Sequence, residues 1–212
     1  MAVAGLCQCE RRLALFEATY RVGLTFIQHL VTKPSWFLAS QNPQLTLVLG
    51  GARSGKSRYA EQAVMASAAP WVYVATAEAF DAEMTARIAE HRGRRGWQWQ
   101  TVEAPLDLAG AIASAPASAA VLVDCLTLWL NNLMFNNRDI DAETERLETA
   151  LAARKASTVL VSNEVGSGIV PDNAEARRFR DLQGRLNQRI AARADRVVLL
   201  VAGLPMIVKG MP

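Results

Sequence analysis

Eight consecutive residues, Gly50-Gly51-Ala52-Arg53-Ser54-Gly55-Lys56-Ser57, constrain this chain more than any other stretch. They satisfy the pattern G-x-x-x-x-G-K-[ST], which works only where a strand ends and a helix begins. The glycines let successive backbone N–H groups turn inward as a nest for phosphate oxygens, and the helix N-terminus adds its partial positive charge. Lys56 is placed to reach the β- and γ-phosphates of a nucleoside triphosphate, and the Ser57 hydroxyl to ligate Mg2+. The flanks agree. Leu45 to Leu49 is a short apolar run of strand formers, and Lys56 to about Ala66 reads as a helix.

The same alternation continues downstream. Trp71 to Ala75, Trp99 to Val102, Ala119 to Val123, Thr158 to Ser162 and Arg196 to Val201 read as strands. Asp81 to Arg92, Leu126 to Phe135, Asp141 to Lys155 and Ala174 to Ala194 read as helices, and the alanine-rich Ala109 to Ala120 as a short helix and connector. Strands joined by helices of this length imply a mostly parallel sheet with helices on both faces. The expected fold class is therefore α/β, a RecA-like P-loop NTPase whose ligands bind where the strand C-termini gather. A phosphate loop also needs a metal-side carboxylate at the end of a neighbouring strand. Asp124, directly after the run Ala119 to Val123, fits that role; the competing reading is a helix cap.

Composition changes near Pro43, which divides residues 1–43, an N-terminal extension, from residues 44–212, the P-loop domain. The extension has helical periodicity from about Arg11 to Leu30 and is assigned no function. Its most apolar part, Leu13 to Val31, is interrupted by Glu17, Arg21 and His29, so neither a membrane span nor a signal peptide is expected. The net charge of +3 comes from scattered, acid-interleaved cations, which does not suggest nucleic-acid binding. Three cysteines, Cys7, Cys9 and Cys125, are too few for a disulfide scaffold or a zinc site, and a reducing cytoplasm fits best.

Beyond the phosphate loop, several stretches carry a family resemblance. They are Gly50 to Glu61, Ala75-Thr76, Asp81 to Arg92, Asp124-Cys125-Leu126-Thr127, Asn163 to Pro171, Arg178 to Asp181, and Gly184 to Gln188. Together they resemble the bifunctional adenosylcobinamide kinase / adenosylcobinamide-phosphate guanylyltransferase family, in order, from about Leu45 to the C-terminus. The resemblance implies two reactions late in cobalamin assembly or salvage. The hydroxyl of adenosylcobinamide is phosphorylated with ATP or GTP, and GMP from GTP is then transferred to adenosylcobinamide phosphate. It also implies a homotrimer and a histidine that carries the guanylyl group, at the place occupied here by His91.

Read without the family, His91 is a helix-end histidine sharing a face with Met84 and Ile88. Nearby Arg92, Arg94 and Arg95 favour a neutral, nucleophilic ring and can hold a triphosphate. The C-terminal end of a helix pulls the other way, toward the imidazolium. The other histidine, His29, lies in the extension. The resemblance further implies nucleotide contacts from Ala75, Thr76 and Ala77, from Arg92, Gly93, Arg94 and Arg95, and from Glu103. Ala77 stands where relatives can have a hydroxyl residue, and some relatives have Glu at Asp124's place. Glu164, at a strand end on the expected active edge, could orient the acceptor hydroxyl or fix its own loop. Two other readings compete with the bifunctional one: a single-activity small-molecule kinase with a structural His91, and a RecA-like ATP-binding regulatory module.

Overall fold

The computed structural model describes residues 44–78, 93 and 95–211. The N-terminal extension and the expected helix Asp81 to Arg92, with His91, Arg92 and Arg94, lie outside the described residues.

Among the described residues, seven strands form one sheet. They are β1 (Leu45–Gly50), β2 (Trp71–Ala75), β3 (Trp99–Glu103), β4 (Ala120–Asp124), β5 (Thr158–Asn163), β6 (Arg196–Val201) and β7 (Leu204–Lys209), in the order β3-β2-β4-β5-β1-β6-β7. β1 to β6 are parallel and β7 pairs antiparallel with β6. The described helices are α1 (Lys56–Met65), α2 (Leu108–Ser114), α3 (Leu126–Phe135), α4 (Ile140–Ala153) and α5 (Ala174–Arg193). This is the expected α/β architecture, with β5 lying between the phosphate-loop strand and the Asp124 strand. Among the described residues, no helix is long and apolar enough to cross a membrane.

The strands are apolar on both sides because both faces are covered, as parallel sheets require. The period of two then sorts neighbours to opposite layers. Leu47, Val72, Val74, Val121, Val123, Leu160 and Val197 join a core with residues of α2, α3, α4 and α5. Val48, Tyr73, Leu122, Val159, Val161, Val198 and Leu200 face the other way, where Ala60 and Val64 of α1 meet them. Ion pairs tie the first helical layer together. Glu148 of α4 accepts from Arg189 and Arg193 of α5, and Arg146 of α4 pairs with Asp107, the residue that caps α2.

The one element not expected is β7. The chain was expected to end its sheet at Val201, but it reverses through Ala202 and Gly203 and adds an antiparallel edge strand. Both turn residues have positive φ, 52° and 83°, as a two-residue hairpin with the twist of its strands requires. Pro205 is compatible with this strand because an edge leaves one row of backbone groups unpaired.

Candidate active site

Each helix start is either closed by its own side chains or left open, and the difference maps the site. Asp107, Asp139 and Asn173 cap α2, α4 and α5 by accepting from Gly110, Ala142 and Ala176 N–H groups. The caps of α1 and α3 are Gly55 and Cys125, and neither offers a side-chain bond. The first turn of α1 therefore keeps its N–H groups available to an anion.

The loop leading into α1 has the backbone its sequence predicts. Gly55 has φ 93° and Arg53 φ 54°. A Cβ on Gly50 would lie 2.6 Å from Ser54 Oγ and 2.7 Å from the Leu200 carbonyl, so only glycine fits. Gly51, Ala52 and Arg53 are exposed. Lys56 is buried, and its Nζ donates to the Gly51 carbonyl at 2.7 Å, folding the ammonium group across the loop. Ser57 follows in the first turn of α1 and is half-buried. The loop is braced from β6–β7, where Gly203 N–H donates to the Ser54 carbonyl at 3.1 Å.

Strand register gathers the remaining candidates at the same edge. Ala75 pairs with Glu103 on one side and Asp124 on the other, so these three strand ends stand in one row. Gly50 pairs with Asn163. Asp124 is half-buried, and Tyr73 donates its hydroxyl to Asp124 Oδ2 at 3.2 Å. Arg95 lies over the opposite part of this arrangement, its guanidinium carbon 3.4 Å from the Tyr73 ring centroid. Its Nε and Nη1 are buried and have no hydrogen-bond partner among the described residues. Burial, and then the Asp124 charge, push the Tyr73 phenol far above its usual range, against the opposing pull of Arg95. It is a protonated donor at any physiological pH.

Thr76 is fully buried and every polar group it has is engaged. Its hydroxyl donates to the Cys125 carbonyl at 2.7 Å and accepts from Cys125 N–H at 2.7 Å. Its N–H donates to the Asp124 carbonyl, and its own carbonyl accepts from Asn132 Nδ2 at 2.8 Å. Thr76 thus clamps the backbone on either side of Asp124's peptide link to α3. Ala77 is half-buried, while Gly93 and Glu103 are exposed. Cys125 is buried, and desolvation followed by the Asp124 charge pushes its thiol up to about 11, which removes it as a nucleophile. Glu164 donates its N–H to the Gly50 carbonyl at 3.0 Å, while its Oε1 accepts from Gly166 N–H at 2.7 Å. The carboxylate is thereby engaged in fixing its own loop.

Sequence reasoning missed Tyr73, Asn132 and the Ala202-Gly203 turn. A phenol inside the otherwise apolar strand Trp-Val-Tyr-Val-Ala was the available signal for Tyr73, because a buried hydroxyl needs a partner.

Similarity to known proteins identifies the family. The family described as cobinamide kinase / cobinamide phosphate guanyltransferase matches residues 46–208. The bifunctional adenosylcobalamin biosynthesis protein CobP of Pseudomonas aeruginosa is 50% identical over 169 residues, covering 78% of this chain and 98% of that protein. The bifunctional adenosylcobalamin biosynthesis protein CobU of Salmonella typhimurium is 42% identical over 181 residues, covering 78% of this chain and 99% of that protein. Among solved structures, a Pyrococcus horikoshii OT3 protein is similar in fold at a TM-score of 0.50 and 10% identity, covering 80% of this chain and 87% of that one. The family match spans the phosphate loop, the hairpin that braces it and the Asp124 strand end, and on that extent the chain belongs to the cobinamide kinase / cobinamide phosphate guanyltransferase family.

Proposed function

We propose that this chain phosphorylates adenosylcobinamide with ATP or GTP and then transfers GMP from GTP to the product, forming adenosylcobinamide-GDP. The observation that carries the reading is an uncapped phosphate loop and Asp124 at strand ends on one sheet edge, in a chain that covers 98% of a bifunctional relative.

In the first reaction the acceptor hydroxyl oxygen attacks the γ-phosphorus. The bond to the β,γ-bridging oxygen breaks, the nucleoside diphosphate leaves, and the hydroxyl proton is released. Lys56 supplies charge to the β/γ oxygens, which requires Nζ to exchange its Gly51 carbonyl partner for phosphate. The residues suit a magnesium ion: Asp124 Oδ2 is held by Tyr73 while Oδ1 has no hydrogen-bond partner among the described residues, and the Ser57 hydroxyl stands in the first turn of α1. Bound Mg2+ would neutralise charge on the β- and γ-phosphates.

In the second reaction an imidazole nitrogen of His91 attacks the α-phosphorus of GTP and pyrophosphate leaves. A phosphate oxygen of adenosylcobinamide phosphate then attacks the phosphorus of the P–N bond. The nitrogen departs with its electron pair and a phosphoanhydride forms. Arg92, Gly93, Arg94, Arg95, Ala75, Ala77 and Glu103 are proposed to surround the nucleotide, with Thr76 fixing the strand end. Placement of the enzyme in the cytoplasm and assembly as a homotrimer complete the reading, with residues 1–43 a non-catalytic extension.

Incubation with α-labelled GTP tests it. Covalent label that survives base and is lost in acid is expected on the wild type and absent from His91→Ala. Absence of label on active wild-type protein would refute the histidine carrier.

A further inference from the structure

We propose that Tyr73 is a positioning residue for the metal-side carboxylate: its hydroxyl holds Oδ2 of Asp124 and so leaves Oδ1 as the oxygen that serves the nucleotide's metal ion. The inference rests on the metal-side role given to Asp124 under the proposed function.

Three observations support it. Tyr73 Oη and Asp124 Oδ2 are 3.2 Å apart, whereas Oδ1 has no hydrogen-bond partner among the described residues. The phenol itself cannot turn away. Its ring is buried, stands edge-on to Trp99 with centroids 6.3 Å apart, and carries the Arg95 guanidinium on its face at 3.4 Å. The acceptor is held from behind as well, because Thr76 bonds the Asp124 carbonyl and both backbone groups of Cys125. A carboxylate at a strand end has a free χ2 torsion, and its two oxygens exchange unless a donor selects one. Here a fixed, protonated donor makes the selection. Arg95 strengthens it, since a cation over the ring draws electron density from the phenol and improves its hydroxyl as a donor.

A merely structural tyrosine would satisfy its own hydroxyl and nothing more, so the test reads the metal directly. Mn2+ binding to the complex with a non-hydrolysable ATP analogue is followed by electron paramagnetic resonance, with no corrinoid present. Tyr73→Phe keeps the ring against Trp99 and Arg95. It is expected to weaken Mn2+ binding about tenfold while leaving metal-free affinity for the analogue unchanged, as loss of an outer partner does at other metal sites. In an Asp124→Asn background the same substitution is expected to have no further effect. Mn2+ binding by Tyr73→Phe equal to wild type, or an equal loss in both backgrounds, would overturn the inference. If Asp124→Asn itself bound Mn2+ normally, the metal-side role of Asp124 would fall and this inference with it. The kinase and transferase activities are read separately, so their failure is distinguishable. Should Tyr73→Phe not fold, 3-fluorotyrosine labelling of the intact chain replaces it, with Tyr20→Phe and Tyr59→Phe assigning the resonances. The Tyr73 fluorine signal is expected to broaden on Mn2+ addition only with nucleotide present, and an unaltered signal would reject the proposal.

Discussion

The N–H of Gly203 donates to the carbonyl of Ser54 at 3.1 Å, so the tip of the β6–β7 hairpin is bonded into the phosphate loop. Gly203 sits at φ 83°, and the Cα of the same residue is 3.5 Å from where a Cβ on Gly55 would be. That spacing is ordinary van der Waals contact, so each glycine is required by its own positive φ, 93° at Gly55 and 83° at Gly203.

Gly203→Val is expected to destabilise the fold by about 1–2 kcal/mol, because a β-branched residue is strained at that φ. It is also expected to weaken nucleotide binding, since the brace on the loop shifts. Titration calorimetry with ATP or GTP reads the second effect; wild-type affinity would show that the loop holds its form without the hairpin.

Lys56→Ala is expected to abolish phosphoryl transfer to adenosylcobinamide, because the transition state loses its point charge at the β/γ-phosphates. Transfer of γ-label at near wild-type rate would sink the phosphate-loop assignment.

His91→Ala is expected to separate the two reactions. The mutant should accumulate adenosylcobinamide phosphate and make essentially no adenosylcobinamide-GDP, because alanine offers no nucleophilic nitrogen. Normal formation of the GDP derivative, measured by chromatography of the corrinoid products, would mean that GMP passes by another route.

Thr76→Val is expected to destabilise the protein by about 2–4 kcal/mol, since one buried hydroxyl serves both the N–H and the carbonyl of Cys125. Thr76→Ser keeps the hydroxyl and should lose much less. Urea unfolding of the pair checks this, and equal midpoints would contradict the clamp.

Cys125 supplies a pH prediction. Its thiol is raised from 9.0 to about 11 in the folded protein. The folded state then holds its proton where the unfolded chain has lost it, so stability falls as pH rises from about 9 toward 11. The decline due to this group is about 2 kcal/mol by pH 10.5, at 1.36 kcal/mol for each pKa unit. Unfolding at pH 8 and 10.5 should show it shrink in Cys125→Ala; an unchanged slope would contradict it.

How much of this could be read in advance depended on distance along the chain. Gly50 to Ser57 is one contiguous stretch with a backbone requirement at Gly50 and Gly55, so loop, strand and helix were all legible there. Asp124 was legible because an apolar run ends on it. The bonds that hold it and its neighbours were not. The bonds from Tyr73, Thr76 and Asn132 join residues 51, 49 and 56 positions apart, and only the sheet order brings them together. Thr76 illustrates the difference. It was expected at the nucleotide, and at the right strand end, but its hydroxyl is spent on Cys125. β7 was hidden for another reason. Leu204, Met206 and Val208 are exposed apolar residues and Pro205 interrupts the run, so neither alternation nor burial marked a strand. The dipeptide Ala202-Gly203 between two apolar runs was the signal available.

The reversal at β7 also decides where the chain can be held. β1 to β6 all end at the sheet edge that carries the phosphate loop, but β7 runs back, pairing Lys209 with Val197 near the start of β6. Six residues of strand at ~3.4 Å each carry the tail roughly 20 Å from the nucleotide edge. Arg196 then donates to the Met211 carbonyl at 2.7 Å and secures it there. Residue 211 is therefore held at the edge of the sheet opposite the strand ends that carry Gly50 and Asp124.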